Sequence, residues 1–350
     1  MNVLFNKSFK IADKLVGEGC EPFIIAEMSA NHGNDINKAI EIIKEAKKSG
    51  ADAIKIQTYT ADTLTIDCKR EPFEAKGAWE GQYLYDLYLD ASMPWEWTPI
   101  LQNIAQEEGI ILFSSPFDFS SIEFLEKLNM PAYKIASPEL IDLPFVRRVA
   151  QTKKPIIMST GNATLSQIND AVAIMIEENV KDLIILKCTS EYPAPPENIN
   201  LKTIQNLKDI FKCPVGLSDH TIGSSIPIAS IALGASVVEK HFIVNRTDIT
   251  ADSFFSATPE ELKLIVDGSK MVYKALGTID YPIIAKKDQR SLIVVKEIKK
   301  GELFTNDNIR SIRPGGGLKS NDIDKVINRK AACFLERGTL LKWEMVGELN

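Results

Sequence analysis

Eight short apolar runs, most of them rich in β-branched residues, recur along the first two thirds of the chain. They occupy residues 23–29, 53–59, 111–117, 132–137, 155–161, 183–189, 214–220 and 237–242. Amphipathic segments at helical spacing, such as residues 36–51 and 165–180, separate them. Strands that are apolar on both faces and alternate with helices are typical of βα units in a parallel sheet. Eight such units predict an α/β fold, a (β/α)₈ TIM barrel.

A doubly wound nucleotide-binding sheet is the alternative fold for such a pattern. No G-x-G-x-x-G follows the first apolar run, which disfavours that alternative. Residues 60–110 lie between the second and third runs, and a crossover helix does not need that length. Part of this segment is therefore expected to form an inserted loop over the barrel mouth. It would be either a substrate lid or a loop packed on its own aromatic residues.

The pattern changes near residue 280, where short predicted strands and tight turns replace the long amphipathic segments. This change predicts a catalytic barrel over residues 1–280, a linker over 281–290 and a small, mostly β domain over 291–350. A unit of that size is marginally stable alone, so it is expected to lean on a partner surface.

Composition excludes several classes of function. The net charge is -6 and the sequence pI about 5.4, so no basic field is available to attract nucleic acid or an anionic membrane surface. No apolar run approaches the ~18 residues of a membrane span, and the N-terminus lacks the apolar core of a signal peptide. Five cysteines without a C-x-x-C pair argue against a disulfide framework and fit a reducing compartment. We expect a soluble cytoplasmic protein.

Polar residues gather where the predicted strands end. In a barrel of this class the chemistry lies at the carboxyl ends of the strands, and buried polar groups are costly unless they are paired or solvated. The strand-end residues are Glu27, Asn31, His32, Lys55, Gln57, Ser114, Ser115, Lys134, Ser137, Ser159, Thr160, Lys187, Thr189, Ser218, Asp219, His220, Glu239 and His241. Because nearly every strand carries such a residue at the same end, this set predicts a functional site.

The composition of the set indicates an anionic ligand. Lys55 and Lys134 supply point charges, and serine hydroxyls supply short directional donors, which together suit a phosphate or carboxylate dianion. The serines concerned are Ser115, Ser137, Ser159 and Ser218.

A pair of histidines suggests a metal. The chain has three histidines, and His220 and His241 end two successive strands, whose backbones lie ~4.8 Å apart in a sheet. With Glu27 and water completing the coordination shell, they would form a mixed nitrogen and oxygen site for Mn²⁺ or Mg²⁺, with Zn²⁺ left open. His32 is either part of the site or a structural hydrogen-bonding residue. Asp219 and Glu239 are expected to point away from the histidines or to support them from behind.

The motifs "IIAEMSANHGND", "AIKIQTYT", "FSSPF", "AYKIAS", "IIMSTGNAT", "KCTSEYPAP", "VGLSDHTIG" and "VEKHF" resemble, in this order, those of the sialic acid synthase family. Members of that family condense phosphoenolpyruvate with an amino-sugar aldehyde. The tail "VVKEIKKGELFTNDNIRSIRPGGGL" is similar to the family's antifreeze-like (SAF) domain. "SANH", "KIQTYT" and "LYDLYLDASMPWEW" resemble the pseudaminic acid branch more than the N-acetylneuraminate branch. The implied acceptor is a 2,4-diacetamido-2,4,6-trideoxy hexose of altro configuration.

The resemblance also implies roles for individual residues. It makes Glu27 the catalytic glutamate and His220 and His241 the ligands of Mn²⁺ or Mg²⁺. The implied phosphoenolpyruvate-binding residues are Lys55, Ser115, Lys134, Ser137, Ser159, Ser190 and Ser218. Positions near the sugar are Gln57, Tyr192 and Asp252, together with Arg313, which the SAF domain would present to the other subunit of a domain-swapped homodimer. Ser115 replaces the usual threonine and Ser190 the usual asparagine; both keep a donor, and the contact made by Ser190 stays open.

Alternatives remain within and outside this family. An N-acetylneuraminate or legionaminic acid synthase would use N-acetylmannosamine or a related manno sugar. A class I aldolase would use Lys55 or Lys134 as a Schiff base, but this leaves the histidine pair unexplained. A non-enzymatic protein that binds metal and sugar phosphate, or ice, is suggested only by the tail, which has no repeated flat threonine array.

Overall fold

The structure is a computed structural model that describes residues 5–281 and 289–349. The chain divides into two compact units, Met1–Gly277 and Thr278–Asn350. Most of the predicted linker, residues 282–288, lies outside the described residues. The predicted boundaries at residues 280 and 291 therefore stay predictions.

The first unit begins with an antiparallel hairpin and continues with eight parallel strands that close into a barrel, which confirms the predicted fold. Each barrel strand pairs with the next in chain order, and the last pairs with the first. The hairpin strands are β1 (Ser8–Ile11) and β2 (Lys14–Gly17). The barrel strands are β3 (Phe23–Glu27), β4 (Ala53–Thr58), β5 (Ile111–Pro116), β6 (Tyr133–Ile135), β7 (Ile156–Ser159), β8 (Leu183–Cys188), β9 (Val215–Asp219) and β10 (Val237–His241).

Helices surround the barrel because one face of each is apolar. In the first helix Ala39, Ile42, Ile43 and Ala46 are buried, at the i, i+3, i+4, i+7 spacing of a single face, and Asp35 caps its first turn. The helices of this unit are α1 (Ile36–Lys48), α2 (Ala61–Leu64), α3 (Leu84–Ala91), α4 (Trp97–Glu108), α5 (Phe119–Lys127), α6 (Leu143–Ala150), α7 (Leu165–Glu177), α8 (Thr203–Phe211), α9 (Ser225–Ala232) and α10 (Pro259–Leu276).

Side-chain alternation gives each barrel strand an inward and an outward series. Near the strand starts the inward residues are apolar, and they form one buried cluster with Phe9, Ile11 and Val16 of the hairpin. Near the strand ends the inward series becomes polar, as Lys55 and Ser115 illustrate. The hairpin therefore closes the amino-terminal end of the barrel, and the carboxyl end is left for chemistry.

The segment between β4 and α4 is longer than a crossover requires, as the sequence indicates. This segment, which we call the insert (residues 59–96), contains α2, a 3₁₀ turn at Gly77–Trp79 and α3. The indole of Trp79 donates a hydrogen bond to the carbonyl of Ala251 (2.9 Å), and that of Trp95 donates to the carbonyl of Tyr59 (3.1 Å). The first bond fixes the insert to a loop at the carboxyl end of the barrel, and the second joins the two ends of the insert to each other.

The second unit is small and mostly β. Its two antiparallel pairs and short helix surround a buried apolar cluster that includes Leu292, Phe304 and Leu341. The elements are β11 (Ser291–Val294), β12 (Ile309–Ile312), α11 (Ile323–Val326), β13 (Arg329–Ala331) and β14 (Val346–Leu349). Among the helices in the described parts of the two units, none combines the length and apolar character needed to cross a bilayer.

Candidate active site

The carboxyl ends of the barrel strands bring a set of buried polar side chains to one inner surface. We call this set the polar ring, and all its members are at most slightly exposed. It consists of Glu27, Lys55, Gln57, Ser115, Lys134, Ser159, Cys188, Ser218, Glu239 and His241. Two strands carry two members each, Lys55 with Gln57 and Glu239 with His241. The residue numbers in each pair differ by two, so both side chains share the inward face of their strand. The predicted convergence of strand-end residues is therefore correct for this inward series.

Some polar strand-end residues face outward instead. The hydroxyl of Ser114 is 2.7 Å from that of Thr58, and Lys187 donates to the hydroxyl of Thr189 at 2.8 Å. Asp219 accepts a bond from the buried Lys240 at 2.6 Å. These contacts satisfy the outward groups. The expectation that strand-end residues as a class face the site is therefore wrong for Ser114 and Lys187, whereas Asp219 points away from the histidines as expected.

Glu27 lies at the end of β3 in a tight contact with its neighbours on β4. Its Oε2 is 2.7 Å from Nζ of Lys55, and Oε1 accepts a bond from Nε2 of Gln57 at 2.9 Å. Burial raises the pKa of Glu27 to about 7, although the charge of Lys55 acts to lower it. Glu27 is thus held in one orientation beside a cation, close to the pH range where a carboxyl group can exchange a proton.

Glu239 lies between the two lysines, contrary to the expectation that it points away or supports the histidines from behind. Its Oε1 is 3.4 Å from Nζ of Lys134 and 3.9 Å from Nζ of Lys55, and it accepts a bond from Ser218 at 3.1 Å. Burial acts to raise the pKa of Glu239, but the two lysines hold it below its usual value. The expectation for Glu239 was wrong because side chains two residues apart in a strand point to the same face, so Glu239 faces the barrel interior with His241.

A cluster of hydroxyl groups lies beside Cys188, at the end of β8. Gly161 donates its backbone N–H to Ser137 at 2.9 Å. A Cβ atom at position 161 would stand 2.3 Å from Oγ of Ser190 and 2.9 Å from Oγ of Ser137, so only glycine allows this approach. The buried hydroxyls of Ser159 and Ser190 have no hydrogen-bond partner among the described residues. Unpaired hydroxyls at the ends of the strands that follow the lysine-bearing β4 and β6, with Lys134 acting on the nearby Cys188, fit the predicted anion site.

His220 and His241 lie side by side, with ring centroids 5.3 Å apart. Nδ1 of His220 is 2.8 Å from the carbonyl of Thr189; because a carbonyl only accepts, Nδ1 carries a proton. Burial acts to lower the pKa of His220, but the neighbouring Cys188 thiol, which also bonds to the ring, raises it. Burial, followed by the nearby positive charges, holds the pKa of His241 well below its usual value, so this ring is neutral. Its Nδ1 is buried, unpartnered among the described residues, and 3.6 Å from Asp252.

These two rings fit a divalent cation that draws its other ligands from water and substrate. Histidine binds metal through a ring nitrogen that carries no proton; His241 offers one because its pKa is lowered, and His220 would offer one once its second nitrogen has lost its proton. In the described part of the chain, no group of three or more His, Cys, Asp or Glu side chains is arranged to hold an ion. The protein would therefore supply two nitrogen ligands, with Asp252 close to His241.

A cavity of about 550 Å³ opens above the polar ring. Gln57, Tyr192, His241 and Asp252 line it, so the predicted sugar-side residues of the barrel are brought together. Tyr192 packs on His220 with ring centroids 4.3 Å apart. The insert contributes Tyr59, Leu64, Ala75, Lys76, Trp79, Leu84, Leu87, Tyr88 and Ala91 to the lining. The insert therefore forms a wall of the cavity.

Cys188 and Glu139 are two further residues of this region that the sequence reasoning did not select. Burial acts to raise the pKa of the Cys188 thiol, but His220, Ser137 and Lys134 bring it to about 7. Glu139 follows β6 and lines the cavity. The signal for Cys188 was its position two residues after Leu186 on the inward face of β8; no comparable signal marked Glu139.

His32 lies outside the group of converging residues, and Arg313 belongs to the other unit. His32 is buried, accepts a bond from the backbone N–H of Asn34 at 3.1 Å and packs edge-on against Trp97. These contacts support its structural role. Arg313 follows β12 in the second unit, where it is exposed.

Comparisons with known proteins agree with this geometry. The profile of the NeuB family matches residues 42–281, and that of the SAF domain matches residues 289–347. The pseudaminic acid synthase of Campylobacter jejuni subsp. jejuni serotype O:23/36 (strain 81-176) is 46% identical over 91% of this chain and 95% of its own length. The pseudaminic acid synthase of Helicobacter pylori is 43% identical over 91% of this chain and 96% of its own length.

Two other relatives are more distant in sequence. The N,N'-diacetyllegionaminic acid synthase of Campylobacter jejuni subsp. jejuni serotype O:2 is 34% identical over 91% of this chain and 98% of its own. The solved structure of the N-acetylneuraminic acid (sialic acid) synthetase of Leptospira borgpetersenii, in complex with citrate, covers 80% of this chain and 94% of its own, with 30% identity and a TM-score of 0.73.

Proposed function

This chain belongs to the NeuB family, and we propose that it condenses phosphoenolpyruvate with an open-chain 2,4-diacetamido-2,4,6-trideoxy hexose of altro configuration to give pseudaminic acid and phosphate. The family assignment confirms the resemblance drawn from the eight motifs. The observation that carries the choice of sugar is the order of the relatives: the pseudaminic acid synthases are more similar to this chain than the legionaminic acid synthase.

Phosphoenolpyruvate is proposed to bind at the polar ring. Its phosphate and carboxylate groups need positive charge and hydrogen-bond donors, which Lys55, Lys134 and the unpartnered hydroxyls of Ser159 and Ser190 can supply. Ser115, Ser137 and Ser218 would add donors around the same ligand. Glu239 keeps the two ammonium groups in place, since it contacts both of them.

The sugar is proposed to occupy the cavity, with its aldehyde directed to the histidine pair. His220 and His241 would hold Mn²⁺ or Mg²⁺, and such an ion, when bound, supplies Lewis acidity at the aldehyde oxygen. The Thr189 carbonyl fixes the tautomer of His220, and burial keeps His241 neutral. Gln57, Tyr192 and Asp252 line the cavity next to this pair and would orient the sugar.

The reaction forms one carbon–carbon bond and, at the carbon that bears phosphate, replaces the carbon–oxygen bond to phosphate by one to water. Of the two protons of that water, one ends on the former aldehyde oxygen and the other leaves with phosphate. The methylene carbon of the enol phosphate attacks the aldehyde carbon, and positive charge develops at the carbon that bears phosphate. The Glu27 carboxylate, fixed by Lys55 and Gln57, would stabilise that charge and then accept a proton from the water that adds there. The resulting tetrahedral carbon expels phosphate, whose charge Lys55 and Lys134 offset.

Two further features belong to the proposal. Arg313 would reach the sugar in the active site of the partner subunit of a domain-swapped homodimer. The reaction would take place in the cytoplasm, a location consistent with five free cysteine thiols. Mixing inactive Glu27→Ala chains with Arg313→Ala chains tests the swap, because crossed subunits would restore one intact site. No recovery of activity after mixing would contradict it.

The experiment that tests the function is an acceptor panel. Phosphate release from phosphoenolpyruvate is measured with added metal and, in turn, the altro sugar, the corresponding manno sugar and N-acetylmannosamine. Fastest turnover of the altro sugar supports pseudaminic acid synthesis; a preference for either other sugar assigns the chain to the legionaminic or N-acetylneuraminate activity. An adduct trapped by borohydride with pyruvate, together with activity that survives chelation, would favour the Schiff-base aldolase.

A further inference from the structure

A buried ion pair lies on the outward face of β9 and β10, directly behind the histidine pair. Nζ of Lys240 is 2.6 Å from Oδ2 of Asp219, and both side chains are almost fully buried. In the sequence Asp219 precedes His220, and Lys240 precedes His241. The proposed reaction uses neither charge, because both side chains point away from the polar ring.

The same two side chains also bind Thr221, the residue that follows His220. Asp219 accepts a bond from the hydroxyl of Thr221 at 3.0 Å and another from its backbone N–H at 3.3 Å. Lys240 donates a bond to the carbonyl of Thr221. We call Lys240, Asp219 and Thr221 the clamp. The two chain neighbours of His220 are therefore both bound to Lys240 of the adjacent strand.

The clamp begins where the backbone pairing of the two strands ends. Asp219 and Lys240 are the last positions at which β9 and β10 pair. His220 follows that point, and its carbonyl accepts a bond from the N–H of Ala194 in another loop at 2.9 Å. The bond from Lys240 to Thr221 continues the link between the two segments past the paired positions. It thereby sets the backbone of one histidine relative to that of the other.

Stability alone does not account for an ion pair at this place. Lysine and aspartate are almost never fully buried unless they are paired. Removing two charges from water is costly, and apolar residues of similar volume are often equally or more stabilising. A charge-assisted hydrogen bond, however, fixes the direction and distance of the groups that it joins. A metal site with two protein nitrogens needs such support, because each ligand must be held in place by the structure around it.

We propose that the clamp positions His220 and His241 to bind a divalent cation together. This inference rests on the proposed function, since it concerns the same metal site. Lys240, Asp219 and Thr221 are positioning residues: they act through the two imidazoles and face away from both substrates. Loss of the clamp therefore weakens the affinity for the metal and leaves the binding of phosphoenolpyruvate unchanged.

The test removes the clamp without leaving an unpaired buried charge. Lys240→Met combined with Asp219→Asn keeps the volumes and removes both charges together. The matched control is Lys14→Met combined with Asp52→Asn at the opposite end of the barrel, where Asp52 likewise binds a lysine and a backbone N–H, that of Ile24 at 2.7 Å. Calorimetric titration with Mn²⁺ measures the affinity, thermal melting checks that each protein folds, and kinetics at saturating Mn²⁺ give KM for phosphoenolpyruvate.

We expect the clamp variant to bind Mn²⁺ about 10–100-fold more weakly than the wild-type chain, the usual cost of losing a group that orients a metal ligand. The control variant keeps the wild-type affinity, and KM for phosphoenolpyruvate stays unchanged in both. Excess Mn²⁺ recovers part of the activity that the clamp variant loses. A folded clamp variant with wild-type affinity for Mn²⁺ overturns the inference, and so does an equal loss of affinity in the control.

A milder variant decides the case in which the clamp variant does not fold. Thr221→Val removes one bond to Asp219 and leaves the charges paired, so it lowers the affinity for Mn²⁺ by a smaller factor; an unchanged affinity overturns the inference. The wild-type titration tests the proposed function separately. A wild-type chain that binds no Mn²⁺ refutes the metal site and the clamp with it, whereas wild-type binding that survives loss of the clamp contradicts the inference alone.

Discussion

The polar ring and the wall that the insert contributes to the cavity are built by different means, although they adjoin. The ring consists of charged and hydroxyl side chains on strands, where backbone hydrogen bonds fix each position and neighbours such as Glu27 and Lys55 face each other in register. The wall consists mainly of aromatic and aliphatic side chains on a segment outside the barrel. Its position relies on a few bonds, such as that from Trp79 to Ala251.

This difference indicates a division of roles. A reaction that develops charge needs groups held with little freedom, and strands of a closed barrel provide that. Selection between similar sugars needs shape and apolar area, which a connecting segment can change without disturbing the barrel. Substitutions in the ring should therefore reduce turnover or phosphoenolpyruvate binding, whereas substitutions in the wall should change only the response to the sugar.

The largest effect is expected for Glu27, the ring member assigned to the chemistry. Glu27→Gln keeps the shape and the bond from Gln57 but removes the charge, so kcat should fall by roughly 10²–10⁴-fold, the usual contribution of general acid–base catalysis. Phosphate release under saturating substrates measures it, with Glu123→Gln as control. A variant that keeps more than about a tenth of wild-type kcat would contradict a catalytic role.

Removal of metal is expected to have the next largest effect. Treatment with a chelator should lower kcat by about 10²-fold, because a Lewis acid contributes several kcal/mol to the transition state. Added Mn²⁺ or Mg²⁺ should restore activity in the wild-type chain but not in His241→Ala. Calorimetric titration with Mn²⁺ measures binding without reference to turnover. Full activity in metal-free protein would refute the proposed role of the histidine pair.

An intermediate effect is expected for Lys134. A change at this residue distinguishes the polar ring, which is proposed to bind phosphoenolpyruvate, from the cavity, which is proposed to bind the sugar. Lys134→Met should raise KM for phosphoenolpyruvate about tenfold or more, since it removes a charge-assisted bond to an anion, and should leave KM for the sugar unchanged. Lys127→Met, exposed on α5, is the control. An equal rise in both KM values would mean that the ring and the cavity do not divide the substrates as proposed.

The smallest effect is expected in the insert, where α3 offers a matched pair of leucines. Leu87 is buried and lines the cavity, whereas Leu89 is 54% exposed on the same helix. Leu87→Ala should raise KM for the sugar about three- to tenfold, the cost of lost apolar contact in a pocket, without changing KM for phosphoenolpyruvate. Leu89→Ala should change neither. Equal KM values for the sugar in the two variants would contradict the proposal that the wall contacts the sugar.

The sequence predicted the features that follow from the regular repeat of side chains along strands and helices. The eight apolar runs predicted the barrel strands, and the strand ends predicted most of the ring, because the carboxyl ends of parallel strands must meet at one edge. Successive side chains of a strand point alternately inward and outward, and this alternation was not applied to every strand-end residue. It places Glu239 on the same face as His241 and turns Ser114 outward.

Features that depend on contacts between distant segments could not be predicted in the same way. The length of the segment predicted a loop at the barrel mouth. Which of its residues line the cavity depends on how α3 packs, and the sequence pattern does not give that packing. The unpaired oxygen of Glu139 is a property of the folded surroundings, since an isolated Glu in a turn has no distinguishing pattern. The same holds for the approach of Gly161 to Ser137 and Ser190.

The hairpin that closes the amino-terminal end of the barrel has a kinetic consequence. With that end filled by Phe9, Ile11 and Val16, the cavity beside the insert is the approach to the polar ring among the described residues. On the proposed function, a sugar that bound first would stand between phosphoenolpyruvate and the ring. We therefore expect ordered addition with phosphoenolpyruvate first, inhibition by high concentrations of sugar, and release of the sugar product before phosphate.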